Sequence, residues 1–238
     1  RPPALPNHLT GALPSPDMKL RWNTAEIPAW TLQQTAGSGA SMYLNREYPL
    51  DPATPTALCV ALPTQSRTTV TNSGYWGIHI EKGKNYRLVL YTSNIGRFKG
   101  DVTVRLISEN GSELCSHRID AGTGKAWKRH DATLTPTDSD SRARFVIELD
   151  GQGTLLLDYV SLFPQETFRE NGLRRDVAET LEALHPAFIR WPGGGIVEGI
   201  TVSNRVKWKE TIGDPVKRPG QYNLWGYRST YGFGYHEF

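Results

Sequence analysis

The sequence predicts a mainly β protein in which a jelly-roll β-sandwich precedes the opening segment of a (β/α)8 barrel. Two observations lead to this fold class. Alternating or apolar runs recur about every 10–15 residues between Trp30 and Phe163, which is typical of short strands joined by turns. From Pro164 onward the pattern changes to a helix, a buried strand and a long glycine-rich loop, which is an α/β signature. We therefore expect an irregular lead-in at residues 1–25, a β-sandwich at 26–165 and a barrel segment at 166–238.

The predicted strands of the sandwich share short alternating or apolar patterns. They are Ser41–Leu44, Ala57–Leu62, Gly77–Ile80, Tyr86–Tyr91, Val102–Ile107, Ala126–His130, Ala143–Leu149 and Thr154–Phe163. Turn signals separate several of them, at Lys82–Asn85, Glu109–Ser112 and Asp150–Gly153. The last run is almost wholly apolar, which indicates a strand in the sandwich core.

Residues 171–186 predict an amphipathic helix. Apolar side chains recur there at helical spacing, at Leu173, Val177, Leu181 and Leu184. Asp176 with Glu179 is a candidate capping box, and Pro186 ends the pattern.

The next predicted element is a buried strand, Ala187–Trp191, which ends on an arginine and a tryptophan. Pro192 and three consecutive glycines follow, and glycines allow a backbone to approach a ligand closely. In a (β/α)8 barrel, active sites are built at this end of the strands. Because only 47 residues follow Trp191, we expect the opening of such a barrel rather than a complete one.

Composition excludes several function classes. The net charge of +3 is small and the basic residues are scattered, so nucleic acid is not an expected partner. No apolar run reaches the ~20 residues of a membrane span. Cys59 and Cys115 are either two separate thiols or one disulfide, and they do not make a zinc pattern.

The aromatic content fits a sugar-binding protein, because rings stack on the C–H faces of sugars. The chain has seven Trp and ten Tyr. Candidates for a stacking surface are Trp30, Tyr75, Trp76 and Trp127, with packing in the core as the alternative for each.

Six segments in fixed order carry a family resemblance. They are Leu157–Pro164, Asn171–Arg174, Arg190–Gly194 with Val197–Gly199, Trp208–Gly213, Arg218–Gly220 and Trp225–Tyr227. Together they resemble the α-L-arabinofuranosidases of glycoside hydrolase family 51, in the branch with a carbohydrate-binding-type sandwich ahead of most of its barrel. The resemblance implies a retaining, exo-acting enzyme that releases terminal α-L-arabinofuranosyl groups from arabinan, arabinoxylan and related plant material. It also implies that the acid/base and nucleophile glutamates lie outside this chain.

The resemblance implies four substrate-binding residues. Arg190 would shape the pocket for the arabinose ring, with a structural salt bridge as the alternative. Gly195 departs from the family, where Asn or Cys is usual, and leaves only a backbone N–H for the sugar. Trp225 would form a pocket wall, or else anchor the loop. Glu237, twelve residues later, matches a glutamate near the start of a barrel helix and has a helix-dipole charge as its alternative.

Three further carboxylates need an interpretation. Asp158 matches an aspartate that helps to hold structural calcium in carbohydrate-binding modules of this fold, so calcium is a candidate ion although catalysis requires no cofactor. Glu198 and Glu210 follow the glycine loop, and for both a structural or solvated role is the better reading.

The alternative function is a non-catalytic carbohydrate-binding module, or a β-sandwich that only braces the barrel. The expected partner is an arabinose-containing polysaccharide or oligosaccharide. Some members of the family are homo-oligomers, so the resemblance makes a homo-oligomer a candidate assembly for the whole enzyme. A periplasmic or secreted location is favoured over a cytoplasmic one. Residues 171–238 are expected to be stable only when more chain or a partner copy covers them.

Overall fold

The structure is a computed structural model that describes residues 27, 29–190, 193–222 and 228–237. The described residues fall into two compact units. The first unit combines residues 29–50 with 55–166 and consists of strands and turns. The second combines residues 51–54 with the described residues from 167 onward, and contains short helices and loops.

The strands of the first unit form one eight-stranded sheet in which all the pairings are antiparallel. They are β1 (Trp30–Gln34), β2 (Ser41–Asn45), β3 (Ala57–Asn72), β4 (Ile78–Ile80), β5 (Tyr86–Ile107), β6 (Glu113–Ile119), β7 (Lys128–Leu134) and β8 (Asp140–Pro164). The main order is β1-β3-β8-β5-β6. In addition, β2 pairs with β3, β4 with β8, and β7 with β5.

The long strands β3, β5 and β8 each serve two parts of the sheet. The first part of β5 pairs with β7 and the last part pairs with β6. The register of β5 shifts between Ser93 and Gly96, and such irregularities bend a strand. Leu88 and Leu106, from opposite ends of β5, both belong to one buried cluster and have no exposed surface. The sheet therefore curls around one main core.

The core is mostly aliphatic. Its fully buried members include Leu62, Ile80, Leu90, Ile147, Leu149, Leu155 and Leu157. Burying each such side chain contributes roughly 1.5–3 kcal/mol relative to leaving it in water. A second, smaller cluster joins Ala57, Cys59 and Leu156, with Ile95 and Trp127 packed against it. Both cysteines are free thiols, which confirms the first of the two alternatives predicted from the sequence.

The predicted turn at Asp150–Gly153 is wrong, because β8 runs through it without a break. A Cβ on Gly151 would lie less than 3.0 Å from the carbonyl oxygen of Lys99 in β5. The glycine therefore allows close approach of two paired strands rather than a chain reversal. For the same reason, the runs predicted as two strands on either side are both parts of β8.

The second unit contains the helices α1 (Arg175–Ala183) and α2 (Gly195–Glu198), three short 3-10 turns, and a two-residue pairing of β9 (Gln221–Tyr222) with β10 (Arg228–Ser229). The 3-10 turns are Val202–Asn204, Trp208–Thr211 and Pro215–Lys217. Among the described helices, none has both the length and the run of apolar residues that crossing a bilayer would require.

The predicted helix is present, but its capping box is not. Arg174 is the N-cap residue and makes no side-chain cap hydrogen bond. Asp176 instead pairs with Arg174, and Glu179 accepts from Arg175 Nε at 2.7 Å. The basic residues beside the helix start take up the carboxylates that would otherwise cap it.

The predicted strand Ala187–Trp191 is not formed in its described part, residues 187–190. Phe188 and Ile189 are 82% and 77% exposed. A buried strand needs neighbouring strands to accept its backbone hydrogen bonds, and no described strand pairs with this segment. Trp191 lies outside the described residues.

Candidate functional site

A buried arginine organises the loop that ends at Glu237. Only 3% of the Arg218 surface is exposed. Its Nε and Nη2 donate to the carbonyl oxygen of Gly213 at 3.1 and 2.6 Å, and Nη1 donates to that of Tyr231 at 3.0 Å. The guanidinium also binds Glu237, through Nη2–Oε1 at 2.6 Å and Nη1–Oε2 at 3.1 Å. A guanidinium has five donors in fixed directions, so this Arg218–Glu237 clamp holds three points of the loop at once.

Glu237, which the family resemblance predicts to bind substrate, is the acidic half of the clamp. Its Oε2 also accepts from the backbone N–H of Gly234 at 2.6 Å. Partial burial raises the pKa of Glu237, but hydrogen bonds from Arg218 and Gly234 outweigh burial and place the pKa below its ordinary value. The carboxylate is therefore held ionised with both oxygens engaged. Contact with a substrate stays a prediction.

A second polar network ties the same loop together. Tyr231 is 8% exposed, and its hydroxyl accepts from the backbone N–H of Lys207 at 3.1 Å. The hydroxyl also donates to Gln221 Oε1, and Gln221 Nε2 donates to the carbonyl oxygen of Asn204. Buried hydroxyl and amide groups are stable only when such partners are present. The network therefore fixes three stretches of irregular backbone relative to one another.

Three rings form a partly exposed ledge beside the clamp: Trp208, Tyr235 and His236. The Trp208 and Tyr235 ring centroids are 5.4 Å apart, and those of Tyr235 and His236 are 5.5 Å apart. The ammonium of Lys209 lies 5.7 Å from the Trp208 ring centroid. The backbone N–H of Tyr235 donates to Thr211 Oγ1 at 3.0 Å, which fixes the ledge to the loop. Flat rings beside polar atoms are suited to the C–H face of a sugar.

Arg190 is exposed, and its guanidinium lies over the first glycine of the loop. A Cβ on Gly193 would sit 3.1 Å from Arg190 Nε. Among the described contacts, no hydrogen bond or ion pair joins Arg190 to Glu237. The structure thus shows Arg190 at the edge of the glycine loop, where its predicted role in the sugar pocket stays a prediction.

Gly195 is the first residue of α2 and is exposed. Its carbonyl oxygen accepts from the backbone N–H of Gly199 at 3.1 Å. Downstream, Asn204 Oδ1 accepts from the backbone N–H groups of Ile200 and Thr201, both at 2.8 Å. The glycine loop is thus closed by its own backbone and by one asparagine, and Gly195 offers a ligand no side chain.

Glu198 and Glu210, the two further carboxylates of this region considered from the sequence, are at least partly exposed. Glu198 is exposed at the end of α2. Glu210 Oε1 pairs with Lys207 Nζ at 3.5 Å, in keeping with a solvated charged loop. The fourth predicted substrate-binding residue, Trp225, lies outside the described residues.

Asp158, the predicted calcium ligand, lies in β8 of the first unit. Its Oδ1 accepts from the backbone N–H of Tyr159 at 2.7 Å, and the carboxyl also accepts from the backbone of Leu50. Oδ2 is buried and has no hydrogen-bond partner. Burial raises the pKa of Asp158 to about 6, although the two backbone hydrogen bonds lower it.

This carboxylate does not by itself make a calcium site. Calcium takes six to eight oxygen ligands. Over the described ranges, no group of three or more His, Cys, Asp or Glu residues could hold a metal ion. Asp158 therefore offers one free oxygen, and any further ligands would be backbone carbonyls or water.

The four aromatic residues proposed for sugar stacking separate into two pairs. Trp30 packs edge-on against Phe145 of the main core, with ring centroids 6.5 Å apart. Trp127 packs on the second cluster, and its Nε1 donates to the carbonyl oxygen of Pro49 at 3.0 Å. These two are structural. Tyr75 and Trp76, in contrast, are 87% and 81% exposed.

Sequence reasoning did not find the Arg218–Glu237 clamp. The two residues are 19 positions apart in irregular chain, so no periodicity connects them. The segment Arg218–Gly220 belongs to the motifs of the family resemblance, which was the one available signal. Trp208 was likewise part of a shared motif without an assigned role.

Comparison with known proteins places both units in one family. A family profile described as "Alpha-L-arabinofuranosidase 1 domain" matches residues 180–238. Alpha-L-arabinofuranosidase 1 of Arabidopsis thaliana is 38% identical over 173 residues, which cover 71% of this chain and 25% of that protein. Alpha-L-arabinofuranosidase A of Aspergillus kawachii is 34% identical over 233 residues, covering 92% and 35% respectively.

Two further relatives extend the comparison. An extracellular exo-alpha-L-arabinofuranosidase of Streptomyces chartreusis is 35% identical over 185 residues, covering 72% of this chain and 22% of that protein. The structure of the arabinose-bound MgGH51 α-L-arabinofuranosidase superposes with a TM-score of 0.76 at 34% identity, over 88% of this chain and 35% of the other. The chain spans about a quarter to a third of the length of the curated relatives it matches. With the motifs, the profile and the superposed structure in agreement, the chain belongs to the α-L-arabinofuranosidases of glycoside hydrolase family 51.

Proposed function

We propose that this chain is part of a retaining, exo-acting α-L-arabinofuranosidase that releases terminal α-L-arabinofuranosyl residues from arabinan, arabinoxylan or related plant polysaccharides and oligosaccharides. The observation that carries the proposal is the match to the arabinose-bound MgGH51 structure over 88% of this chain. The match extends through the sandwich as well as the loop. A shared fold and sequence over both units support a shared reaction.

The chemistry divides between this chain and the remainder of the enzyme. A retaining mechanism needs two carboxyls about 5–5.5 Å apart, one as acid/base and one as nucleophile. Within the described residues, Glu237 is bound by Arg218 and Glu210 is paired with Lys207. From the family resemblance, we propose that both catalytic carboxylates lie outside this chain.

The role of this chain is then to bind and position the sugar. Arg190 would donate hydrogen bonds to hydroxyls, and the backbone N–H of Gly195 would replace the side-chain contact usual in the family. Trp225 would close one wall. The Arg218–Glu237 clamp supports these contacts by fixing the loop, since a substrate-positioning loop must be held rigid to contribute to the rate.

We further propose the finer architecture. Residues 26–165 form a jelly-roll sandwich, for which the curling antiparallel sheet is the supporting observation. Residues 166–238 form the start of a (β/α)8 barrel, supported by the helix α1 and the glycine loop. A structural calcium at Asp158 remains a proposal, supported by the unpartnered Oδ2. A homo-oligomer is also proposed, from the family resemblance.

A periplasmic or secreted location is proposed for the enzyme. Its support is the relative from Streptomyces chartreusis, which is named as extracellular. An arabinose-containing polymer of the plant cell wall is too large to enter a cell, which fits an exported enzyme.

The second candidate function is carbohydrate binding by the sandwich itself. One observation favours it: Tyr75 and Trp76 expose their rings almost completely.

The proposed hydrolase is tested with 4-nitrophenyl α-L-arabinofuranoside, using the full-length protein encoded by the same gene. Release of nitrophenol with retained anomeric configuration supports the proposal, and absence of release from the folded full-length protein contradicts it.

A further inference from the structure

The turn between β3 and β4 presents two adjacent rings to solvent. Tyr75 is 87% exposed and Trp76 is 81% exposed, the highest values among the large hydrophobic side chains of the described residues apart from Phe188. Their ring centroids are 4.7 Å apart and their planes are inclined at 70°. The rings thus contact each other, and together they form a small apolar surface that the sheet does not cover.

This turn is held firmly although its side chains are exposed. The backbone N–H of Gly74 donates to Asn72 Oδ1 at 2.8 Å, and that of Gly77 donates to the carbonyl oxygen of Ser73 at 3.1 Å. Gly77 has φ +98, and a Cβ there would lie less than 3.0 Å from Arg142 Cα in β8. Close contact with β8 and two hydrogen bonds therefore fix the backbone, so little order has to be gained when the rings meet a ligand.

Two contacts between charged or titratable side chains lie near the turn. Arg142 Nη1 binds Glu109 Oε1 at 3.2 Å, and His79 lies 3.6 Å from Glu81 Oε1. These exposed side chains offer hydrogen-bonding groups near the rings, which suits a hydroxyl-rich ligand.

The size of the ring pair argues against a protein partner. Two aromatic side chains can bury about 150–250 Å² each. A stable protein interface buries about 800 Å² on each partner. The pair therefore matches one or two sugar rings better than a second protein chain, and exposed aromatic rings stack on the C–H faces of sugars.

We propose that the Tyr75–Trp76 turn is a sugar-stacking platform that binds a neutral, arabinose-containing polysaccharide. The class of polysaccharide rests on the proposed function, whereas the platform itself rests on the exposure and rigidity of the turn. Trp30 and Trp127 take no part, because both are packed against the cores.

The platform is tested by affinity electrophoresis of the 238-residue chain in native gels that contain arabinoxylan or linear arabinan. Hydroxyethylcellulose gels serve as the reference. The wild-type chain is expected to be retarded by at least one arabinose-containing polymer. Tyr75→Ala and Trp76→Ala are each expected to weaken the apparent affinity by up to about tenfold, while Trp76→Phe retains most of it.

Phe163→Ala is the matched control, since Phe163 is another aromatic residue of the sheet with 49% exposure. It should be retarded like the wild type. Because all three rings are exposed, the variants should fold, which the thermal unfolding temperature verifies. The platform is overturned if the wild type migrates freely in every polymer, or if the Tyr75→Ala, Trp76→Ala double variant is still retarded.

The outcome is independent of the proposed hydrolase. Retardation of the wild type with no nitrophenol release from the full-length protein supports the platform and overturns the hydrolase. Nitrophenol release by the full-length protein, with no retardation of the wild-type chain in any gel, supports the hydrolase and overturns the platform.

Discussion

Replacing Asp158 by Asn should stabilise the first unit at neutral pH. The wild-type carboxyl has a buried Oδ2 without a partner, while the backbone N–H of Tyr159 donates to Oδ1 at 2.7 Å. Asparagine keeps the same shape and the same accepting oxygen but carries no charge. The substitution therefore removes the cost of burying an anion. It keeps the hydrogen bonds, which in the wild type offset only part of this cost.

The magnitude follows from the pKa. Burial raises the pKa of Asp158 from 3.8 to about 6. At about 1.4 kcal/mol for each pKa unit, the difference corresponds to about 3 kcal/mol between low and neutral pH. Because folding raises the pKa of Asp158, the folded state binds the proton more tightly than the unfolded state. The stabilising contribution is complete below about pH 4 and is lost as the pH rises through about 6.

Urea unfolding, followed by circular dichroism at pH 4 and pH 8, measures this effect. The variant and the wild type should have equal free energies of unfolding at pH 4. At pH 8, Asp158→Asn should be more stable by about 3 kcal/mol. Comparing the two proteins at each pH removes the contribution of all other titrating groups.

One result would refute this reasoning. If the variant is less stable than the wild type at pH 8, the anion is compensated in the folded protein. Repeating the measurement with millimolar calcium distinguishes the cause. A stability gain in the wild type alone would assign the compensation to a bound ion at Asp158.

Two further perturbations test the clamp and the sheet. Glu237→Gln should destabilise the second unit by about 2–3 kcal/mol at neutral pH, seen as faster proteolysis of the loop, because Arg218 stays buried without an anion. Because the pKa of Glu237 is lowered from its ordinary value of 4.5, the wild-type clamp should hold at pH values above 4.5 and loosen only as the pH falls below 4.5. The variant should be loose at every pH. Gly151→Ala should lower the unfolding free energy by about 1–3 kcal/mol in urea, because the new Cβ would collide with the neighbouring strand.

Matched variants control both tests. Glu210→Gln removes an exposed ion pair and should change proteolysis little. Gly124→Ala introduces a Cβ with no atom within 4 Å and should be nearly neutral. Equal effects of the test and control variants at either position would contradict the packing described for it.

The β-rich first unit could be predicted from the alternating runs and the apolar runs of β5 and β8, because both patterns are typical of strands with one or two buried faces. The lengths of these strands could not. Gly151 and its neighbours mimic a turn in the sequence, and only the facing backbone at Lys99 shows why glycine is needed. The edge strands β1 and β6 were missed because their polar residues face solvent and weaken the alternation.

The site was predictable only as far as local motifs reach. The glycine loop and Arg190 stand out because an apolar run, a cation and glycines are consecutive in the sequence. Glu237 was recognised by position, but its partner Arg218 is brought to it by irregular chain, which has no sequence period. The exposure of Tyr75 and Trp76 also depends on tertiary packing, because nothing local separates them from Trp30, which is partly buried against the core.

Hydrolysis of 4-nitrophenyl α-L-arabinofuranoside is the most direct test of the central claim, that this chain belongs to an arabinofuranosidase whose catalytic carboxylates lie outside it. The assay compares the purified 238-residue chain, verified by intact mass, with the full-length protein encoded by the same gene. We predict turnover by the full-length protein and none by the chain alone. Turnover by the chain at its true mass would contradict the claim, because a competent carboxylate pair would then lie within these residues.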